Sequence, residues 1–113
     1  MEWDAALKNF KMAADLDPDN RRYGKTLGLS LAWAGRYEDS MVYLKKHLGE
    51  AEAHYNLAQL LHHKKDDEAS KHHLRLALQA NPKLTSAHEM LASLETASQD
   101  STQPTQAVEY REP

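Results

Sequence analysis

Between Ala51 and Leu61 the apolar residues Ala51, Tyr55, Leu57, Ala58 and Leu61 recur at helical spacing, not at the alternation of a strand. The polar run Lys64-Lys65-Asp66-Asp67 breaks the pattern. A second periodic run, Ala69, Leu74, Ala77 and Leu78, follows it and ends at Asn81-Pro82. Proline disfavours helical geometry in the residue before it, so Asn81 marks a helix stop. The pattern predicts two helices folded back on each other around a short polar turn.

The unit recurs along the chain. Aligned on Pro18 and Pro82, Ala6, Phe10 and Ala13 fall where Ser70, Leu74 and Ala77 sit. In the middle, Leu27-Gly28 and Leu31 match Leu57-Ala58 and Leu61, and Ser40 and Leu44 match Ser70 and Leu74. Near the far end His88, Leu91 and Ala92 match His54, Leu57 and Ala58. Six helices are expected, over residues 2–16, 21–34, 37–48, 51–64, 67–80 and 85–97. The expected core is Leu7, Phe10, Leu27, Leu31, Met41, Leu44, Leu57, Leu61, Leu74, Leu78 and Leu91, with Leu48 also buried. Leu91, Ala92 and Leu94 are expected to face the array.

Local signals refine this frame. Residues 1–20 read as the second helix of a repeat whose first helix is missing, expected to be cut from a longer protein; the alternative is a helix that starts the array and protects its own open edge. Gly24 stands where a repeat carries a large residue, with Tyr23 or Trp33 expected to compensate. His47 stands where a small one is usual and should loosen the packing. Gly35 supplies a turn that needs positive φ. Gly49 ends its helix without the Asn-Pro stop. Glu95 replaces the apolar residue of the earlier units, so the last helix reads as a solvating cap. Residues 98–113 lose the periodicity and gain Ser, Thr, Gln and Pro, the composition of a flexible tail.

A period of 30 to 34 residues with two helices per unit resembles the tetratricopeptide repeat. In the unit starting at Ala51, His54 takes that family's large-residue position and Leu57-Ala58 its Leu-Gly pair. Leu61 takes the tyrosine, Ser70 the alanine, Leu74 the aromatic and Pro82 the proline. The resemblance implies an all-α fold in which helix-turn-helix repeats form a right-handed superhelix of about six helices. It divides the chain into an array at 1–97 (half repeat 1–20, repeats 21–50 and 51–84, capping helix 85–97) and a tail at 98–113. It also implies a non-enzymatic scaffold that binds a peptide or partner protein in its concave groove. A structural spacer or self-association module of a larger multidomain protein is the alternative.

Composition narrows the chemistry. The chain has 113 residues, room for one domain. Its net charge of -3 argues against a general affinity for nucleic acid phosphates. With no cysteine there is no disulfide, thiolate zinc site or thiol nucleophile. No apolar run is long enough for membrane insertion. Glycine-rich phosphate loops and nucleophile elbows are also missing. No catalytic residue and no cofactor is therefore expected.

Histidine is the most conspicuous residue type, with seven copies. None lies three or four residues from another, so no helix presents two ligands on one face. His62-His63 and His72-His73 could only meet a metal across the hairpin with Asp66 or Asp67. No metal site is expected, and His54 and His88 are read as structural.

Binding residues follow from the resemblance, which places the groove on the first helices. The expected set is Arg22, Lys25, Thr26, Leu29 and Trp33 in one unit, and Tyr55, Asn56, Gln59 and His62 in the next. Ala32, Glu52, His63, Ser86, Glu89, Met90 and Ser93 complete the lining. Some relatives clamp a partner's C-terminal carboxylate with Lys and Asn. Lys25 and Asn56 match two clamp positions, but Leu29 replaces an Asn, so this clamp is incomplete. Two other surfaces carry expectations. Val108 and Tyr110 could dock the tail, with Arg111 pairing with Glu52 or Glu89. Self-association through the N-terminal helix, at Trp3, Ala6, Leu7 and Phe10, would cover an open apolar edge through residues 1–14, not 85–97.

Overall fold

The computed structural model describes residues 3–102, with side chains described for residues 4–97. The described residues form six α-helices: α1 (Trp3–Leu16), α2 (Arg21–Trp33), α3 (Tyr37–Leu48), α4 (Glu50–His63), α5 (Asp67–Ala80) and α6 (Thr85–Thr102). The last helix runs to Thr102, past the expected end near residue 97. Ser, Thr and Gln lower apolar periodicity without forbidding helix, and no proline intervenes before Pro104. The expected docking residues Val108, Tyr110 and Arg111 lie outside the described residues, as does the Trp3 side chain.

Local signals start α2, α3 and α5. The Asn20 side chain accepts hydrogen bonds from the backbone N–H groups of Arg22 (3.0 Å) and Tyr23 (3.2 Å), capping α2. Asp66 caps α5 by accepting from the Ala69 N–H at 3.2 Å. No side chain caps α3; Glu38 and Asp39 in its first turn and Lys45, Lys46 and His47 in its last suit the helix dipole instead. The turns after α2 and α4 close alike. Arg36 N–H reaches the Leu31 carbonyl at 2.8 Å, and Asp66 N–H reaches the Leu61 carbonyl at 2.9 Å. Both place one residue at positive φ: Gly35 at 85° and Lys65 at 66°.

Neighbouring helices pack in chain order, and α2 also touches α4. Thus α2/α3 and α4/α5 are complete hairpins, while α1 lies on α2 and α6 on α5. The core falls into three clusters. Leu7, Ala14, Leu27 and Leu31 join α1 to α2. Ala32, Leu57, Leu60 and Leu61 join the two hairpins. Ala58, Leu74, Ala77, Ala87 and Leu94 join the second hairpin to α6. Leu27, Leu44, Leu57 and Leu74 are the largest fully buried side chains. Each contributes about 1.5–3 kcal/mol by leaving water.

Several sequence expectations need correction. Phe10, Met41, Leu48, Leu78 and Leu91 are only half-buried, and Ala92 is exposed. His88 is exposed too, with Nε2 2.7 Å from the Pro82 carbonyl oxygen. The gap above Gly24 is filled by neither Tyr23 nor Trp33, which are 40% and 42% exposed. The His47 ring of α3 occupies the space where a Gly24 side chain would begin. His47 therefore fills a hole instead of loosening the hairpin. Glu95 is turned to Arg75 of α5 at 3.6 Å, so its charge is paired at that interface.

Candidate functional site

The expected binding residues sit on two first helices, α2 and α4, which contact each other. Arg22, Lys25, Thr26 and Trp33 of α2 are exposed, and Leu29 is half-buried. On α4, Gln59 and His62 are exposed while Tyr55 and Asn56 are half-buried. Helical spacing explains the grouping: Arg22, Lys25, Leu29 and Trp33 recur three or four residues apart on one side of α2. Tyr55, Gln59 and His62 do the same on α4.

Hydrogen bonds organise part of this surface. Gln59 Nε2 donates to Tyr55 Oη at 3.2 Å, joining two of the expected residues. Asn56 Nδ2 donates instead to the Glu52 carbonyl one turn back, at 2.8 Å. That bond ties down the residue that resembled half of a carboxylate clamp. Tyr55 packs beside the cluster joining α5 and α6, so its ring serves the core as well as the surface. His62 Nδ1 lies 2.7 Å from Asp67 Oδ1 across the hairpin turn. It faces the next helix start at least as much as the α2 side.

An aromatic grouping lies where α2 and α4 end. The Trp33 and His63 rings are 6.5 Å apart, and the His63 ring is 6.3 Å from His62. Lys64 Nζ donates to the Trp33 carbonyl (3.3 Å) and to Tyr37 Oη (3.1 Å). Its ammonium also sits 5.3 Å from the Tyr37 ring centre, a cation–π distance. Lys64 and Tyr37 were not among the expected residues. The only sequence signal for them is their place beside the two polar turns.

Two clefts lie elsewhere, and none of the nine expected binding residues lines either. One, of about 530 Å³, runs between α1 and α3 over α2 and is walled by Leu7, Leu27, Leu31, Val42 and Tyr43. Lys8, Lys11, Arg36, Asp4 and Asp39 form its rim. The other, of about 460 Å³, is its counterpart one repeat later, with Met41, Val42, Lys45, Leu57 and His73. Sequence periodicity marks these residues as core and does not reveal that successive second helices stand apart.

The remaining titratable feature is internal to the second hairpin. His54 of α4 and His73 of α5 approach Nδ1 to Nδ1 at 3.0 Å, so one ring donates and the other accepts. Burial pushes His73 down to about 4, with His54, His72 and Lys45 adding repulsion. Burial also lowers His54, helped by Lys45 and His72 and opposed by Glu50. No group of three or more His, Asp or Glu side chains among the described residues is placed to hold a metal ion. No helix among them is long and apolar enough to cross a membrane.

No curated protein sequence matches the chain. Residues 51–84 match the family model described as Tetratricopeptide repeat. Those bounds run from the second residue of α4 to the start of α6, enclosing the hairpin whose register the first hairpin repeats. Such repeats generally mediate protein–protein interaction and are typical of scaffolds. The α4/α5 hairpin thus matches a tetratricopeptide repeat, and the six helices paired in this register are an all-α helical-repeat fold.

Proposed function

We propose that the chain is a non-enzymatic interaction module whose first-helix surface binds an extended or helical segment of a partner protein. Trp33 carries this reading. A large aromatic ring remains 42% exposed beside His63, on the same side of α2 as Arg22, Lys25 and Leu29. Aromatic anchors next to flexible hydrogen-bonding groups are the usual make-up of a peptide-binding surface. Gln59 and Tyr55 extend that surface on α4.

The test is selection from a library of displayed peptides, followed by affinity measurement on the full chain. Trp33→Ala should weaken the selected peptides by at least about 1 kcal/mol, the scale of an aromatic anchor. If Trp33→Ala combined with Tyr55→Ala kept full affinity for them, this surface would not be the binding face. Trp33 is exposed enough for its removal to leave the helices folded, which circular dichroism would verify.

Self-association through α1 is a second reading, favoured by one observation. Met12 and Leu16 on that helix are 55% and 85% exposed. Apolar side chains one turn apart on a single helix face are suited to contact with another chain.

A further inference from the structure

The clefts between second helices lie on the far side of the first helices from the candidate binding residues. At about 100° per residue, Leu27 and Leu31 point roughly half a turn away from Arg22, Lys25, Leu29 and Trp33 of the same helix. One cleft is bounded by α1, α2 and α3 and the next by α3, α4 and α5, so each has described helices for both walls and its floor. Val42 of α3 lines both clefts and is 67% exposed, an apolar crest between them.

Charge is placed on this face in repeat register. Lys11 of α1 and Lys45 of α3 both fall at the position of Arg75 in α5, and Val42 falls at the position of Lys8. Lys8 and Lys11 line the first cleft and Lys45 the second, and all three are exposed. Among the described residues none of the three forms an ion pair. Arg36 and Asp39 bind each other at 3.1 Å and cancel. The remaining carboxylates, Asp4 and Glu38, stand one turn nearer the helix starts than Lys8 and Val42. The level of the apolar crest is therefore the basic level of both clefts.

We propose that an acidic segment of a partner protein docks across α3 on this face. One large apolar side chain enters each cleft, on either side of Val42, and carboxylates lie over Lys8, Lys11 and Lys45. Charge complementarity sets the sign of the partner, because a basic segment at this level would face three lysines with no carboxylate to offset them. The clefts suit side chains presented by a segment: Leu7, Leu27 and Leu31 beneath the first are 6%, 2% and 5% exposed, so it is a groove between helices and not an enclosed chamber. This surface is separate from the first-helix surface and does not depend on it.

The experiment selects peptides on the full chain from two displayed libraries of equal apolar content. One carries only Asp and Glu as its charged residues, the other only Lys and Arg. The acidic library should yield binders that Val42→Glu weakens at least about tenfold, the scale of an anchor contact. Lys11→Glu combined with Lys45→Glu should weaken them similarly, and Trp33→Ala should leave them unchanged. All three substituted positions on the clefts are exposed, and circular dichroism would verify that the helices persist. The proposal falls if the acidic library gives no binder, or only binders that respond to Trp33→Ala and not to Val42→Glu. It falls equally if the basic library yields the binders that Val42→Glu weakens. A wild type that sediments as a dimer and becomes monomeric on Val42→Glu would make a second copy the occupant. A tenfold gain in peptide affinity on Tyr110→Ala would make the chain's own tail the occupant, and either result would overturn the partner segment.

Discussion

The two complete hairpins share a backbone frame and differ in how they fill it. In α4/α5 the first helix supplies a large side chain, His54, stacked on His73, and the small Ala77 stands in the register of His47. In α2/α3 the sizes are exchanged: the first helix supplies Gly24, and the His47 ring from the second helix fills the gap. What stays constant is the close approach one turn further on. Ser40 Oγ donates to the Gly28 carbonyl at 2.6 Å, and Ser70 Oγ donates to the Ala58 carbonyl at 2.7 Å. A Cβ on Gly28 would come within 2.8 Å of Leu44 Cδ2, whereas Ala58 fits opposite Leu74. Interior space is conserved between the hairpins more closely than residue identity is.

The largest way to break the comparison is to fill one hole twice. Gly24→His should destabilise the chain by about 3 kcal/mol, at the upper end of overpacking costs, because His47 already holds that space. A milder probe removes the shared serine bond. Ser40→Ala or Ser70→Ala should each cost about 0.5–1.5 kcal/mol in denaturant unfolding, with similar values at the two sites. The carbonyl keeps its helical partner in both cases, which bounds the loss.

Acid should separate the hairpins, because only the second contains the His54–His73 bond. Its equivalents in the first hairpin are Gly24 and Tyr43. Both histidine pKa values are lowered by folding, so the unfolded chain binds more protons below the ordinary value of 6.5. The pair's contribution to stability is then fully present above pH 6.5 and is lost as pH drops from there toward about 4, where His73 titrates. Amide-exchange protection, corrected for the intrinsic rate at each pH, should fall in α4 and α5 before α2 and α3. An equal loss of protection in both hairpins would contradict this assignment. The smallest effect concerns the turns. Lys65 holds a positive φ that Gly35 adopts without strain, so Lys65→Gly should raise stability by about 0.5–1 kcal/mol.

The helix count and the repeat register were legible in the sequence because they depend on periodic apolar residues and on turn chemistry. Leu27, Leu31, Leu44, Leu57, Leu61 and Leu74 were placed in the core for that reason. The exchange between Gly24 and His47 was not legible. Each residue departs from the pattern alone, and only their juxtaposition across the hairpin shows that the departures compensate. The half-burial of Phe10 and Leu91 was hidden similarly, since a single helix's period does not tell which of its faces has a neighbour. In the candidate site, the exposed residues of α2 followed from the family resemblance, which assigns groove positions to the first helices. The Asn56 bond to its own helix and the pairing of His62 with Asp67 depend on rotamers, which spacing does not specify. Lys64, bridging Trp33 and Tyr37, belongs to a turn whose sequence signals only polarity.

The exchange of size across the hairpin is tested most directly by a double-mutant cycle at Gly24 and His47. Unfolding free energies would be measured for wild type, Gly24→His, His47→Ala and the double variant, which carries the residue types that stand in this register in the second hairpin, His54 and Ala77. The structure predicts that His47→Ala rescues most of the loss caused by Gly24→His, with a coupling of about 2 kcal/mol or more. Additive losses in the double variant would contradict the claim, because they would mean that the two side chains do not share one space.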